Sequence, residues 1–254
     1  MTEDQVRRYL EFYQDLGVKT VFRREATSPA ANAEMQAAAT PAIERAPAAP
    51  PAKQEPALPA LEPANDNLLK ILEDIGDCKR CRLHEGRNRL VFGVGNEQAK
   101  LVFVGEGPGA DEDAQGIPFV GRAGQLLTQM IEGTAHKEGI PLQRADVYIC
   151  NVVKCRPPEN RTPLPDEMEI CGQFLSRQLQ VLRPKAICAL GSTAAKALLG
   201  TKEGVTRLRG KWQRWRDIPV MVTYHPSYLL RPYNQNAKKE AWEDLKMVLH
   251  YVYD

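Results

Sequence analysis

The sequence predicts an α/β body on a short, mainly parallel sheet with helices covering both faces. Three features predict it. From about residue 67 onward, apolar stretches of strand length alternate with stretches of helical periodicity. The chemically unusual residues fall just after those strands, where ligands bind on parallel sheets. A composition of 43% hydrophobic and 26% charged residues over 254 positions is ordinary globular chemistry.

Residues 3–24 carry Val6, Tyr9, Leu10, Tyr13, Leu16 and Val21 near period 3.6, a helix that docks on the body or recruits another protein. Residues 26–64 hold 15 Ala and 8 Pro and not one aromatic. That composition cannot repay the entropy of ordering, so 26–66 reads as a linker and 67–254 as the single large domain. Within it, Ala99–Val104 is the first strand, running into Gly105-Glu106-Gly107-Pro108-Gly109. Residues 121–135 form a helix, and Asp146–Val153 a second strand. Asp166–Leu182 is an amphipathic helix with Asp166 in its first turn after Pro165. Lys185–Leu190 is the third strand, and Ser192 caps a short helix through Leu199. Pro219–Thr223 is the fourth strand, and Lys238–Tyr253 a closing helix.

Several classes drop out. No run of about 18 apolar residues exists, so no membrane-spanning helix is expected. The acidic start, Met1-Thr2-Glu3-Asp4, lacks the apolar core of a secretory signal, and a cytoplasmic protein is expected. A monomer is expected as well. The net charge of +2 conceals an asymmetry: residues 1–67 hold 7 Lys+Arg against 10 Asp+Glu, leaving 27 against 22 for the body. A mildly basic body favours an anionic partner.

Six cysteines in such a chain point to metal ligation, catalysis or core packing before disulfides. Cys78-Lys79-Arg80-Cys81 is a C-x2-C turn able to bring two thiolates to one centre. Cys155 and Cys171 flank a proline-rich loop and could complete a four-sulfur site for zinc or a [4Fe–4S] cluster, with His84 able to replace one thiolate on zinc. Cys150 and Cys188 sit inside apolar strands and read as core.

The glycine loop meets only the relaxed dinucleotide fingerprint, and Pro108 removes a donor from it. It suits close backbone approach to a flat ligand. Phe119, in Pro118-Phe119-Val120-Gly121-Arg122-Ala123-Gly124, is a core plug or a stacking platform. Asn151 is a turn cap or the reader of an imide edge, since its amide offers an acceptor and donors in one plane. His225, in His225-Pro226-Ser227 after the fourth strand, is structural or a functional imidazole. Residues 207–216 pack five cations and two tryptophans into ten positions, either a nucleic-acid contact or a hairpin whose tryptophans cover the sheet edge.

Together the Gly105–Gly109 loop, Pro118–Gly124, Asn151-Val152-Val153-Lys154-Cys155-Arg156-Pro157-Pro158 with Asn160-Arg161, and His225-Pro226-Ser227 resemble the family 4 uracil-DNA glycosylases. The likeness spans nearly all of residues 68–254. It implies a three-layer α/β/α fold, hydrolysis of the N-glycosidic bond of deoxyuridine in single- or double-stranded DNA, and a structural [4Fe–4S] cluster on Cys78, Cys81, Cys155 and Cys171. By the same resemblance, Gly105, Glu106, Gly107, Phe119, Asn151 and His225 would bind uracil. Phe119 would stack, Asn151 would read the polar edge, and His225 would donate to O2. Glu106 and Glu112 would stand at the pocket wall, Glu112 filling the space of a thymine methyl and one of the two positioning water. Where a better-known branch places a water-activating aspartate, this chain has Gly107. Ser227-Tyr228-Leu229-Leu230-Arg231 resembles the superfamily's wedge loop, with Leu229 or Leu230 filling the vacated stack. Arg156, Ser227, Arg231 and Lys211 would contact DNA. Residues 156–166 lack the histidine of a covalent-trapping relative, so ordinary turnover is implied. A non-catalytic iron–sulfur DNA-binding protein is the competing reading.

Overall fold

The structure, a computed structural model, describes residues 65–254; the readings of a helix over 3–24 and a linker over 26–66 concern residues that lie, up to Ala64, outside them. Six strands form one sheet in the order β1-β3-β2-β4-β6-β5. The four central ones, β3 (Tyr148–Asn151), β2 (Leu101–Gly105), β4 (Ala186–Leu190) and β6 (Ile218–Thr223), pair in parallel. The edges β1 (Val94–Gly95) and β5 (Trp212–Trp215) run antiparallel to β3 and β6. The expected mainly parallel sheet is therefore present, with two short antiparallel edges that the hydropathy pattern did not single out.

Every residue of β2 and β4 is buried, as strands covered on both faces must be. Side chains alternate between two cores. Val102, Val104, Cys150, Ile187, Ala189, Val220 and Val222 meet α1 (Leu68–Ile75), α4 (Pro165–Leu182) and α5 (Gly191–Leu199). Leu101, Phe103, Ile149, Cys188, Leu190 and Met221 meet α3 (Arg122–Lys137) and α8 (Gln235–Tyr253). This is a three-layer sandwich with the period-2 signature of a sheet. Cys150 and Cys188 are core residues, one in each layer, and burial pushes both thiols up.

Local chemistry sets the ends. Pro165 opens α4 with Asp166 in its first turn, as read from the sequence, and Glu167 joins it there. Ser192 does not cap α5: the helix starts at Gly191 with Leu190 at the capping position, so Ser192 lies in the first turn. Gly191 takes φ +90°, which lets the chain turn directly from β4 into the helix. A short acidic helix, α2 (Ala110–Gln115), follows the glycine loop unheralded by hydropathy, because its residues are mostly polar. Two further short helices, α6 (Val205–Leu208) and α7 (Pro226–Leu229), flank β5 and β6.

The basic run divides. Trp212 packs against Tyr251 with ring centroids 4.6 Å apart and the planes tilted by 46°, and the half-buried Trp215 packs on the first core. The tryptophans thus cover the sheet edge. Arg209 is spent internally: its Nε and Nη2 donate to Asp244 at 3.0 and 2.7 Å, and Thr223 Oγ1 donates to the same carboxylate at 2.7 Å. Asp244 is fully buried, so removing Arg209 leaves a desolvated carboxylate without its cation. Arg209→Met should cost about 3 kcal/mol of stability, read as a lowered midpoint in urea unfolding at neutral pH.

Candidate active site

The carboxyl ends of the parallel strands converge on one cleft of about 360 Å³. Adjacent strands place Gly105 and Asn151 as register partners at the last position of the β2–β3 ladder. His225 enters two residues past β6 and caps α7. Glu106, Gly107, Glu112, Phe119, Asn151, His225 and Ser227 all border this space. Most of the residues singled out for a base pocket are thereby brought together.

Asn151 and Phe119 pack directly against the end of β2 because Gly105 is glycine. A Cβ there would lie 2.4 Å from Asn151 Oδ1 and 2.5 Å from Phe119 Cζ, distances that real Cβ atoms do not show. A Cβ on Gly107 would meet Val153 Cγ2 at 2.7 Å. Asn151 is 1% exposed, and its Oδ1 has no hydrogen-bond partner among the described residues. A buried acceptor without a donor costs about 1–3 kcal/mol, which a ligand's N–H can recover.

Phe119 is a core residue, as one of its two readings had it, and it also faces the cleft. It is 6% exposed and belongs to the second core, yet it borders the cleft, its ring 5.6 Å from the His225 ring at 36°. Its φ is +55°, unusual for an aromatic residue.

His225 has a defined tautomer. Its Nδ1 lies 3.2 Å from the Ser227 backbone N–H, a group that can only donate, so Nδ1 is the acceptor and the ring proton sits on Nε2. Ser227 Oγ lies 2.8 Å from the same Nδ1. Burial pushes the His225 pKa down to about 4, against a smaller upward pull from Glu112. The ring is therefore neutral near pH 7. Gly191, at the neighbouring strand end, makes room: a Cβ there would sit 3.0 Å from His225 Cβ.

The two acids differ. Glu112 accepts the backbone N–H groups of Gly109, Val120 and Gly121 at 3.1, 2.9 and 2.9 Å, so it clamps the glycine loop to the Phe119 turn. Glu106 accepts a hydrogen bond from the buried Thr193, a residue sequence reasoning passed over. Arg156 and Arg231 do not themselves border the cleft: Arg156 donates to Asn160, which does, at 2.8 Å, and Arg231 lies over the Tyr228 ring at 5.9 Å. Lys211 is exposed at the start of β5 and does not border the cleft. Leu229 requires a correction. It is 2% exposed and packed in the second core with α3 and α8, because α7 turns that face inward; it is not available to enter a base stack. Leu230 and Tyr228 are the more accessible members of that turn.

A second pocket, apolar in character, is bordered by Cys78, Cys81, Cys155 and Cys171 together with Ile75, Phe174, His84 and Lys154. Among the described residues, no three His, Cys, Asp or Glu side chains are already gathered as a single-ion site. Donors nevertheless converge on the sulfurs: Arg87 on Cys155 at 3.2 Å, the Lys154 backbone N–H on Cys171 at 3.2 Å, and Arg80 on Cys78 at 3.5 Å. Such donors suit thiolate sulfur shared around an iron–sulfur cluster. His84 turns its Nδ1 to the Cys81 carbonyl at 2.8 Å.

Comparison with known proteins agrees with this geometry. The family model of the uracil DNA glycosylase superfamily matches residues 92–246. A type-4 uracil-DNA glycosylase of Thermotoga maritima is 43% identical over 190 residues, covering 74% of this chain and 96% of the relative. One from Archaeoglobus fulgidus is 43% identical over 191 residues, covering 72% and 92%. A type-5 uracil-DNA glycosylase of Pyrobaculum aerophilum is 36% identical over a shorter stretch of 105 residues, 41% of this chain and 44% of the relative. Among the described residues no helix is long and apolar enough to cross a membrane. With a cleft at the strand ends, a neutral histidine and an unpartnered carboxamide all inside the matched span, the chain belongs to the type-4 uracil-DNA glycosylases of the uracil DNA glycosylase superfamily.

Proposed function

We propose that the cleft receives a uracil rotated out of DNA and that Phe119, Asn151 and His225 act on it together. The observation that carries this reading is the buried Asn151 Oδ1, without a partner among the described residues, beside the Phe119 ring on the end of β2. Uracil presents an N–H at N3 and a carbonyl at O4. Asn151 Oδ1 would accept the first while its amide nitrogen donates to the second. Cytosine reverses both polarities and would leave Oδ1 facing an acceptor. Extrusion is required because the glycosidic bond is out of reach inside the stack.

The bond to uracil N1 lengthens as the sugar takes on oxocarbenium character and charge accumulates on the departing ring. The Nε2–H of His225, set by the Ser227 N–H on the other ring nitrogen, would donate to O2 as that charge grows. A neutral donor serves because it is preorganised and needs no proton from solvent. Water then adds to the sugar, leaving an abasic site. Glu106, unlike Glu112, does not clamp backbone N–H groups, and it would orient that water with Thr193 fixing its carboxylate. Glu112 would set the steric limit beside uracil C5 through the turn it holds. Arg156, Ser227, Leu230 and Arg231 would line the path of the DNA backbone, with Lys211 contributing farther out.

Cys78, Cys81, Cys155 and Cys171 would hold a [4Fe–4S] cluster, whose contribution is structural: it ties the start of the domain and α4 to the loop that follows Asn151. Lys154 makes the link direct, since its buried ammonium donates to the Asn151 carbonyl at 2.7 Å and to Gln178 at 2.6 Å.

Asn151→Ala and His225→Ala should each lower single-turnover uracil excision about 10²–10³-fold while DNA affinity in a gel-shift assay stays within a few-fold; unchanged rates in both would remove the pocket assignment. The His225 ring should titrate near pH 4 in an NMR titration, with the Nε2–H tautomer above it. Because the unfolded ring takes up its proton near 6.5, this group makes the fold less stable as pH falls from about 6.5 towards 4, never as it rises. Cys155→Ala should abolish iron and acid-labile sulfide in the purified protein and lower its melting temperature, whereas Cys188→Ala should keep both iron and sulfide.

A further inference from the structure

The Phe119 backbone is in the left-handed region at φ +55°, where a side chain larger than glycine is disfavoured. Such a conformation persists only if its surroundings hold it. Two groups do. On the amide side, Glu112 accepts the N–H groups of Val120 and Gly121, both at 2.9 Å. On the carbonyl side, Arg144 Nη2 donates to the Pro118 and Phe119 oxygens at 2.9 and 3.0 Å, while its Nη1 donates to Thr128 Oγ1 at 2.9 Å. Helix α3 passes so close that a Cβ on Gly124 would lie 1.9 Å from the Phe119 oxygen.

Arg144 sits in the turn before β3, 25 positions from Phe119, and does not border the cleft. A planar guanidinium can span two carbonyls and a hydroxyl at fixed angles; an ammonium cannot. We infer that Arg144 is a positioning residue for base excision: it locks the Pro118–Phe119 carbonyls so that the strained turn presents the Phe119 ring to the extruded base. It acts through Phe119 and touches no reacting atom. The inference rests on the stacking role proposed for Phe119.

A double-mutant cycle tests it on the full chain with its cofactor, using kcat/KM for a uracil-containing oligonucleotide and inhibition by free uracil. Arg144→Met should reduce kcat/KM about 10–100-fold and weaken uracil inhibition in step, with hydrogen exchange accelerated over residues 118–121 and unchanged in the sheet. Arg144→Lys, which keeps the charge and carries the test if the methionine variant fails to fold, should fall in between. Phe119→Gly adopts the same backbone without strain and has no ring to place. In that background Arg144→Met should add less than a threefold loss. An equal loss in both backgrounds would show that Arg144 acts elsewhere and overturn the inference, as would unchanged excision and uracil inhibition in Arg144→Met alone. If Phe119→Gly itself excises and binds uracil normally, the stacking role fails, and the purpose assigned to Arg144 fails with it.

Discussion

Asn151 and Phe119 can close together on the end of β2 only because Gly105 has no side chain. A single methyl group there would overlap both the carboxamide and the phenyl ring, at 2.4 and 2.5 Å. The rest of the site is arranged around this close approach of two side chains to the backbone. Parallel pairing sets Gly105 beside Asn151, and the strand order brings the end of β6, hence His225, to the same edge of the sheet. Gly191 repeats the device one strand away, where it lets the histidine approach β4.

Two members of the site are held in states that water would not favour. Asn151 Oδ1 has no donor among the described residues, and Phe119 keeps a left-handed backbone. Burial keeps the His225 ring neutral to well below its ordinary pKa. Costs of this kind are tolerated where a rigid frame over-determines the geometry. Here the frame is a sheet whose central strands are buried on both faces. Pre-organisation of this sort is also what makes a donor effective when charge develops, because no dipole has to turn as the bond breaks.

The cysteine pocket and the cleft are linked through one residue. Lys154 borders the first and reaches a residue of the second, through its backbone N–H to Cys171 and its side-chain nitrogen to the Asn151 carbonyl. The same economy appears in Glu112, which joins the glycine loop to the Phe119 turn with one carboxylate.

Much of this was legible in the residue string. The parallel strands were readable because strands buried on both faces are continuous apolar runs, and Gly105, Asn151 and His225 stood out because polar or glycine residues ended those runs. The edge strands were not, since β1 is two residues long and β5 alternates half-buried and exposed positions. Nor were the supports. Arg144 and Thr193 lie 25 and 87 positions from the residues they hold, and hydrogen bonds at such separations leave no periodic trace. Leu229 shows the converse: a four-residue helix decides which of two adjacent leucines faces the core, and hydropathy treats them alike. Local pattern determined the layers and the chemistry available at their ends. Chain crossings, which bring distant side chains within 3 Å of one another, decided how that chemistry is held.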